Sequence, residues 1–294
     1  MFKFRLELFL CYDIFGDNMK HCEFEKEEKY KLYRSVKEIL HPTISKKNIS
    51  DYKIIIRDDL LPVRTFYPRK VSHLDQVILY IHGECKITNC KGKYSEISTN
   101  LAQEVNQLIL SIDYDELNDF STLYQRVYET FHFIYQELID VLEDPSKITI
   151  MADSTGTTIL FSILEKMKQE KFGKMILFYP VLSGEYYGKT QYNSLENNSF
   201  DHDLVKKLKN YYKKKNEGNK EVFPYLNKNS YPKGLVIVGG VDPLLDEAKD
   251  FVQNNQNCEL KIVTFANHGF LGSKDEEIKK EYYTFIHNFF DENN

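Results

Sequence analysis

The chain has no tryptophan among its 294 residues and no apolar run near the roughly 20 residues that a helical membrane span requires. The stretch from Phe2 to Cys11 leans apolar, but Lys3, Arg5 and Glu7 break it. It has neither a signal-peptide core nor a cleavage site, so it reads as a strand or helix packed on the body. No metal-ligand spacing occurs among Cys11, Cys22, Cys85, Cys90, Cys258 and the eight histidines. Five scattered cysteines, an odd number, point to a reducing compartment, and a cytoplasmic location is expected. There is no basic excess: the net charge is −5, which argues against a nucleic-acid binder. Internal repeats and long linkers are lacking too.

What is present is enough apolar residue, 42%, for a sizeable core, with Tyr and Phe abundant. Buried-type strands are expected at Gln76–Ile81, Leu108–Ile112, Ile148–Met151, Met175–Val181, Gly234–Val238 and Leu260–Phe265. Asp51–Ile56 and Leu61–Tyr67 read as two more, joined at Asp58-Asp59. Helical spacing predicts helices around Ile97, Leu101 and Val105, over Ser121–Leu142, over Thr157–Met167 and over Asp275–Phe290. Lys26–Leu40 also reads as a helix, with Tyr30, Tyr33, Val36 and Leu40 on one face and His41-Pro42 at its end. The irregular segment after Val181 holds another, around Leu204, Leu208 and Tyr211. Its run of lysines reads as a solvated face or an anionic-surface patch. Strands alternating with helices imply an α/β fold: a mostly parallel central sheet with helices on both faces.

In such sheets ligands bind beyond the carboxyl ends of the strands. His82, Ser154, Asp242 and His268 all fall just past such ends. Ser154 lies in Ala152-Asp153-Ser154-Thr155-Gly156, between a strand and a helix. A sharp turn there lifts a hydroxyl clear of the backbone, and small neighbours let strand and helix approach. Acyl transfer to a serine also needs a base, an orienting carboxylate and oxyanion donors. The order Ser154, Asp242, His268 fits that requirement. Plainer readings stand beside it: a helix cap for Ser154, a cap before Pro243 for Asp242, an exposed loop for His268 and a loop brace for His82. Asp246 and Glu247 are alternative acids better suited to a helix's first turn, and Cys85 lacks a base beside it.

Six pieces occur in order: Val63-Arg64-Thr65-Phe66-Tyr67-Pro68, Tyr80-Ile81-His82-Gly83, Asp113-Tyr114, Asp153-Ser154-Thr155-Gly156, Asp242-Pro243-Leu244-Leu245-Asp246-Glu247 and His268-Gly269-Phe270. In these the chain resembles the hormone-sensitive-lipase-like branch of the α/β-hydrolases. The resemblance implies carboxylic-ester hydrolysis without a cofactor or metal, acting on a small-molecule ester. It implies Ser154 as nucleophile, His268 as base and then acid, Asp242 as orienting carboxylate, and Gly83, Glu84 and Thr155 as oxyanion donors. It also implies one hydrolase domain over residues 1–294 with cap elements near 1–45 and 185–230. The chain departs from the pattern at Glu84 and Cys85, at Ala152 and at Thr157, where the family usually has glycine. A carboxylate at position 84 pointing inward would oppose oxyanion charge. These departures motivate a second reading, a degenerate relative that binds without turnover. Amide or sugar-acetate hydrolysis is a third.

Overall fold

The computed structural model describes residues 32–33, 35–40, 52–69, 74–83, 93–114, 120–182 and 231–291. All lie in one unit, Leu32–Asn294. The stretch Phe2–Cys11, the helix expected around Leu208, all of the cap element expected near 185–230 and most of that near 1–45 lie outside the described residues.

Among the described residues, nine strands form one sheet: β1 (Leu32–Tyr33), β2 (Tyr52–Ile55), β3 (Val63–Phe66), β4 (Val77–Ile81), β5 (Leu108–Ile112), β6 (Ile148–Asp153), β7 (Lys174–Phe178), β8 (Lys233–Gly239) and β9 (Cys258–Val263). Their order is β1-β2-β3-β5-β4-β6-β7-β8-β9. Of these described strands only β3 runs against the rest, pairing antiparallel with both β2 and β5. The apolar runs are buried because helices cover both faces. Every residue of β4, β5 and β6 is buried, as strands inside a parallel sheet must be.

The helices are α1 (Val36–Leu40), α2 (Lys93–Val105), α3 (Phe120–Leu142), α4 (Gly156–Lys166), α5 (Leu245–Asn254) and α6 (Glu276–Asp291). Along α3, Leu123, Val127, Phe131, Ile134 and Leu138 are buried at helical spacing. α2 and α6 share one face, where His287 meets the Glu104 carbonyl at 3.1 Å. α3, α4 and α5 share the other. Tyr124 of α3 donates to the Ser162 carbonyl of α4, and Phe161 of α4 packs on Phe251 of α5.

The chain leaves β4 to one side for β5, then returns past it to β6. β4 and β6 are therefore neighbours at a topological switch point, where a crevice opens beyond their carboxyl ends. His82-Gly83 and Ser154 occupy those two ends.

Three expectations are corrected. The helix expected over Lys26–Leu40 begins only at Val36, and Leu32–Tyr33 is a strand paired with Ile54–Ile55. Ser35 and Glu38 explain the start. The Ser35 N–H donates to Glu38 Oε2 at 2.8 Å and the Glu38 N–H to Ser35 Oγ at 3.3 Å, a capping box that fixes a helix amino end. β7 stops at Phe178 rather than Val181, because Tyr179 turns to φ 34°. β9 ends at Val263, two residues early, because Thr264 and Phe265 form a turn with Phe265 at φ 57°.

Candidate active site

Ser154 follows β6 directly and sits at φ 48°, a left-handed conformation that a non-glycine residue adopts only under constraint. Three backbone hydrogen bonds supply it. The Ser154 N–H donates to the Phe178 carbonyl at 3.0 Å, and the Ser154 carbonyl accepts from Val181 at 3.1 Å and Thr157 at 3.2 Å. The turn works only with glycine two residues on. A Cβ on Gly156 would stand 2.3 Å from the Ile81 carbonyl oxygen and 2.6 Å from that of His82. α4 therefore starts against the end of β4, with its positive amino end behind Ser154.

Two other loops converge on this turn. A Cβ on Gly239 would stand 2.1 Å from the Ala266 carbonyl oxygen, and the Val241 N–H donates to that same carbonyl. The ends of β8 and β9 are thus pinned together, which brings Asp242 and His268 within reach of each other.

The three side chains form a relay. Ser154 Oγ lies 3.0 Å from His268 Nε2, and His268 Nδ1 lies 3.0 Å from Asp242 Oδ2. Asp242 is fully buried, and His268 keeps 13% of its side-chain surface. Asp242 has a second task. Its Oδ1 accepts the Leu244 N–H at 2.8 Å, shaping the turn into α5. One oxygen thus closes a turn ahead of α5, whose N-cap is Leu244 rather than Asp242, and the other faces His268.

The remaining residues expected at the site fare differently. The Gly83 N–H donates to Asp153 Oδ1 at 2.8 Å, so this amide is engaged by a carboxylate in the structure. Thr155 is buried at the start of α4. Glu84, like Cys85, lies outside the described residues. His82 braces its loop: its ring stacks on Tyr114 at 4.3 Å, and the Tyr114 hydroxyl donates to its carbonyl. Thr157 fits by bulk, but its Oγ1 is buried without a hydrogen-bond partner among the described residues.

Sequence reasoning missed the Asp153 cluster. This carboxylate, one residue before Ser154, is 1% exposed. It accepts from the Tyr80 hydroxyl at 2.6 Å, the Gly83 N–H at 2.8 Å and the Tyr94 hydroxyl at 3.1 Å. Burial raises its pKa above the ordinary value, while those donors and His82 pull it down. Burial, with Asp153 beside it, drives the Tyr80 phenol well above its usual range. The signal was there: a carboxylate ending the apolar run Ile148–Met151 must be buried, and a buried carboxylate needs donors.

A doubly covered parallel sheet with a strained serine between β6 and α4 defines a class of enzyme scaffold. Residues 78–272 match the family described as alpha/beta hydrolase fold. The chain belongs to that family. Hormone-sensitive-lipase-type esterases are among the proteins it is similar to. Neutral cholesterol ester hydrolase 1 of Bos taurus is 27% identical over 147 residues, 46% of this chain and 36% of that protein. The chain thus matches little more than a third of the length of this relative and of arylacetamide deacetylase-like 4 family member 1 of Mus musculus. Among solved structures, a bacterial esterase of the hormone-sensitive lipase family superposes with a TM-score of 0.65. It is 19% identical, with 85% of this chain and 87% of that one covered. Carboxyl esterase 2 of Tuber melanosporum gives 0.67 at 17% identity, covering 83% and 88%. At such identities these two likenesses speak for the fold. Among the described residues, no helix is long and apolar enough to cross a membrane, and no cluster of potential ligands could hold a metal ion.

Proposed function

We propose that the protein is a serine hydrolase of small carboxylic esters, working through an acyl-enzyme on Ser154. The observation that carries this reading is the continuous Ser154–His268–Asp242 relay, with 3.0 Å at each step. Ser154 Oγ attacks the ester carbonyl carbon while His268 Nε2 takes its proton. Asp242 Oδ2 holds the Nδ1 proton and faces the imidazolium that results. The carbonyl electrons move onto oxygen, and amide donors meet the oxyanion. With Gly83 engaged elsewhere, the Thr155 and Glu84 amides are left of the expected set. His268 then gives its proton to the leaving alcohol. Water, deprotonated by the same imidazole, attacks the acyl carbon and frees the acid.

The names of a cholesterol ester hydrolase and a carboxyl esterase support an ester, while that of arylacetamide deacetylase-like 4 family member 1 of Mus musculus keeps an amide as the second reading. The relay lends less support to a binding protein without turnover, which would have no use for a strained serine facing an imidazole. Five scattered cysteines in the sequence support a reducing, cytoplasmic setting. The test is a panel of chromogenic esters of varied acyl length, run with the wild type and Ser154→Ala. A burst of alcohol from short-chain esters, lost in the variant, is expected. Full activity in the variant would exclude the assignment.

A further inference from the structure

Tyr179 stands out among the strained residues. It is 3% exposed and, at φ 34°, left-handed, a state an aromatic residue holds only when its surroundings impose it. Its N–H donates to the Ile237 carbonyl at 2.7 Å, which fixes the twist. In an extended strand Phe178 and Tyr179 would face opposite sides of the sheet. Here both reach Phe270, with ring centroids 6.3 Å and 5.0 Å away. The twist brings the Tyr179 ring to 4.8 Å from the His268 imidazole, tilted by 60°. Its phenol also bears on the ionisation of the Tyr80 hydroxyl, which binds Asp153.

We propose that Tyr179 is a positioning residue for the acyl-transfer step, its ring fixing the plane of the His268 imidazole and favouring its cationic form. The inference rests on the hydrolase reading above. Hydrogen bonds at Nδ1 and Nε2 set the line joining the imidazole's two partners, and rotation about that line is governed by what packs on the ring. A ring packed against its side restricts that rotation. When His268 takes the Ser154 proton it becomes a cation, and a cation over the face of an aromatic ring within about 6 Å of its centroid is attracted by the ring's quadrupole. The contact is stronger in the transition state than in the resting enzyme, which is the condition for accelerating the step.

The experiment measures the rate of Ser154 acylation by a chromogenic ester, and KM, in three kinds of variant. Tyr179→Phe keeps the ring and should stay near wild type. Tyr179→Leu should lose roughly 10-fold in acylation rate with little change in KM. Tyr179→Phe carrying one, two or three ring fluorines keeps the size while weakening the quadrupole. Its rate should fall step by step, which a purely structural role would not produce. This series also carries the test where the leucine variant does not fold. A flat fluorine series, or a leucine variant that acylates at the wild-type rate, would overturn the inference and leave the hydrolase reading standing. A wild type that no ester acylates would overturn both.

Discussion

Gly83 and Asp153 share a 2.8 Å hydrogen bond from the amide of one to the carboxylate of the other. It ties the end of β4 to the end of β6 immediately beside the nucleophile. A Cβ on Gly83 would stand 3.0 Å from both Asp153 Oδ2 and Ser154 Cβ, so the two strand ends are also in close contact. The chain has spent a buried carboxylate on holding its site together.

That carboxylate makes stability depend on pH. Burial raises the Asp153 pKa above 3.8, so the folded protein retains a proton that the unfolded chain releases. From 3.8 upward, as far as the folded value, the Asp153 contribution to stability falls as pH rises. Asp153→Asn removes the titration. The melting temperature of the wild type minus that of the variant should be greatest near pH 4 and shrink as pH rises. A difference that stays constant from pH 4 to 7 would contradict this account.

Asp242 divides its oxygens between the turn into α5 and the imidazole. In Asp242→Asn the amide oxygen can still accept the Leu244 N–H, so the fold should persist. The amide nitrogen would face His268 Nδ1 and enforce the wrong tautomer. kcat should fall by on the order of 10,000-fold with a near-native melting curve. A loss of less than about tenfold would mean that the carboxylate does not orient the base.

The buried hydroxyl of Thr157 has no partner among the described residues. Thr157→Val keeps the shape and removes the orphan group, so it should stabilise the fold by about 1 kcal/mol in urea denaturation. A loss of stability would show that the hydroxyl is hydrogen-bonded in solution.

Gly156→Ala should do the opposite. Its Cβ meets backbone oxygens of Ile81 and His82, which cannot swing away as a side chain would. Destabilisation of about 1–3 kcal/mol is expected, together with loss of esterase activity, since Ser154 must move with the helix. A variant with wild-type stability and rate would show that the contact between β4 and α4 is looser than the structure has it.

Much of this was legible in the sequence, for local reasons. The apolar runs at β4, β5, β6 and β8 could only be strands covered on both faces. Ser154, Asp242 and His268 each sit a few residues past such a strand, and parallel strands bring those ends to one rim. The illegible parts depend on contacts across the chain. The engagement of the Gly83 amide is set by a carboxylate 70 residues away. The turn at Tyr179 is set by the Ile237 carbonyl on the neighbouring strand. The helix start at Ser35 was readable in its Ser-x-x-Glu pattern, but the longer periodicity from Tyr30 to Leu40 masked it.

The most direct measurement is the site of covalent labelling by a fluorophosphonate. The folded protein, incubated with the probe and digested, should carry a single phosphonyl adduct on Ser154, found by peptide mass spectrometry. The adduct should form much more slowly in Asp242→Asn. A folded sample that takes up no label, or takes it at another residue, would contradict the claim that Ser154 is the nucleophile.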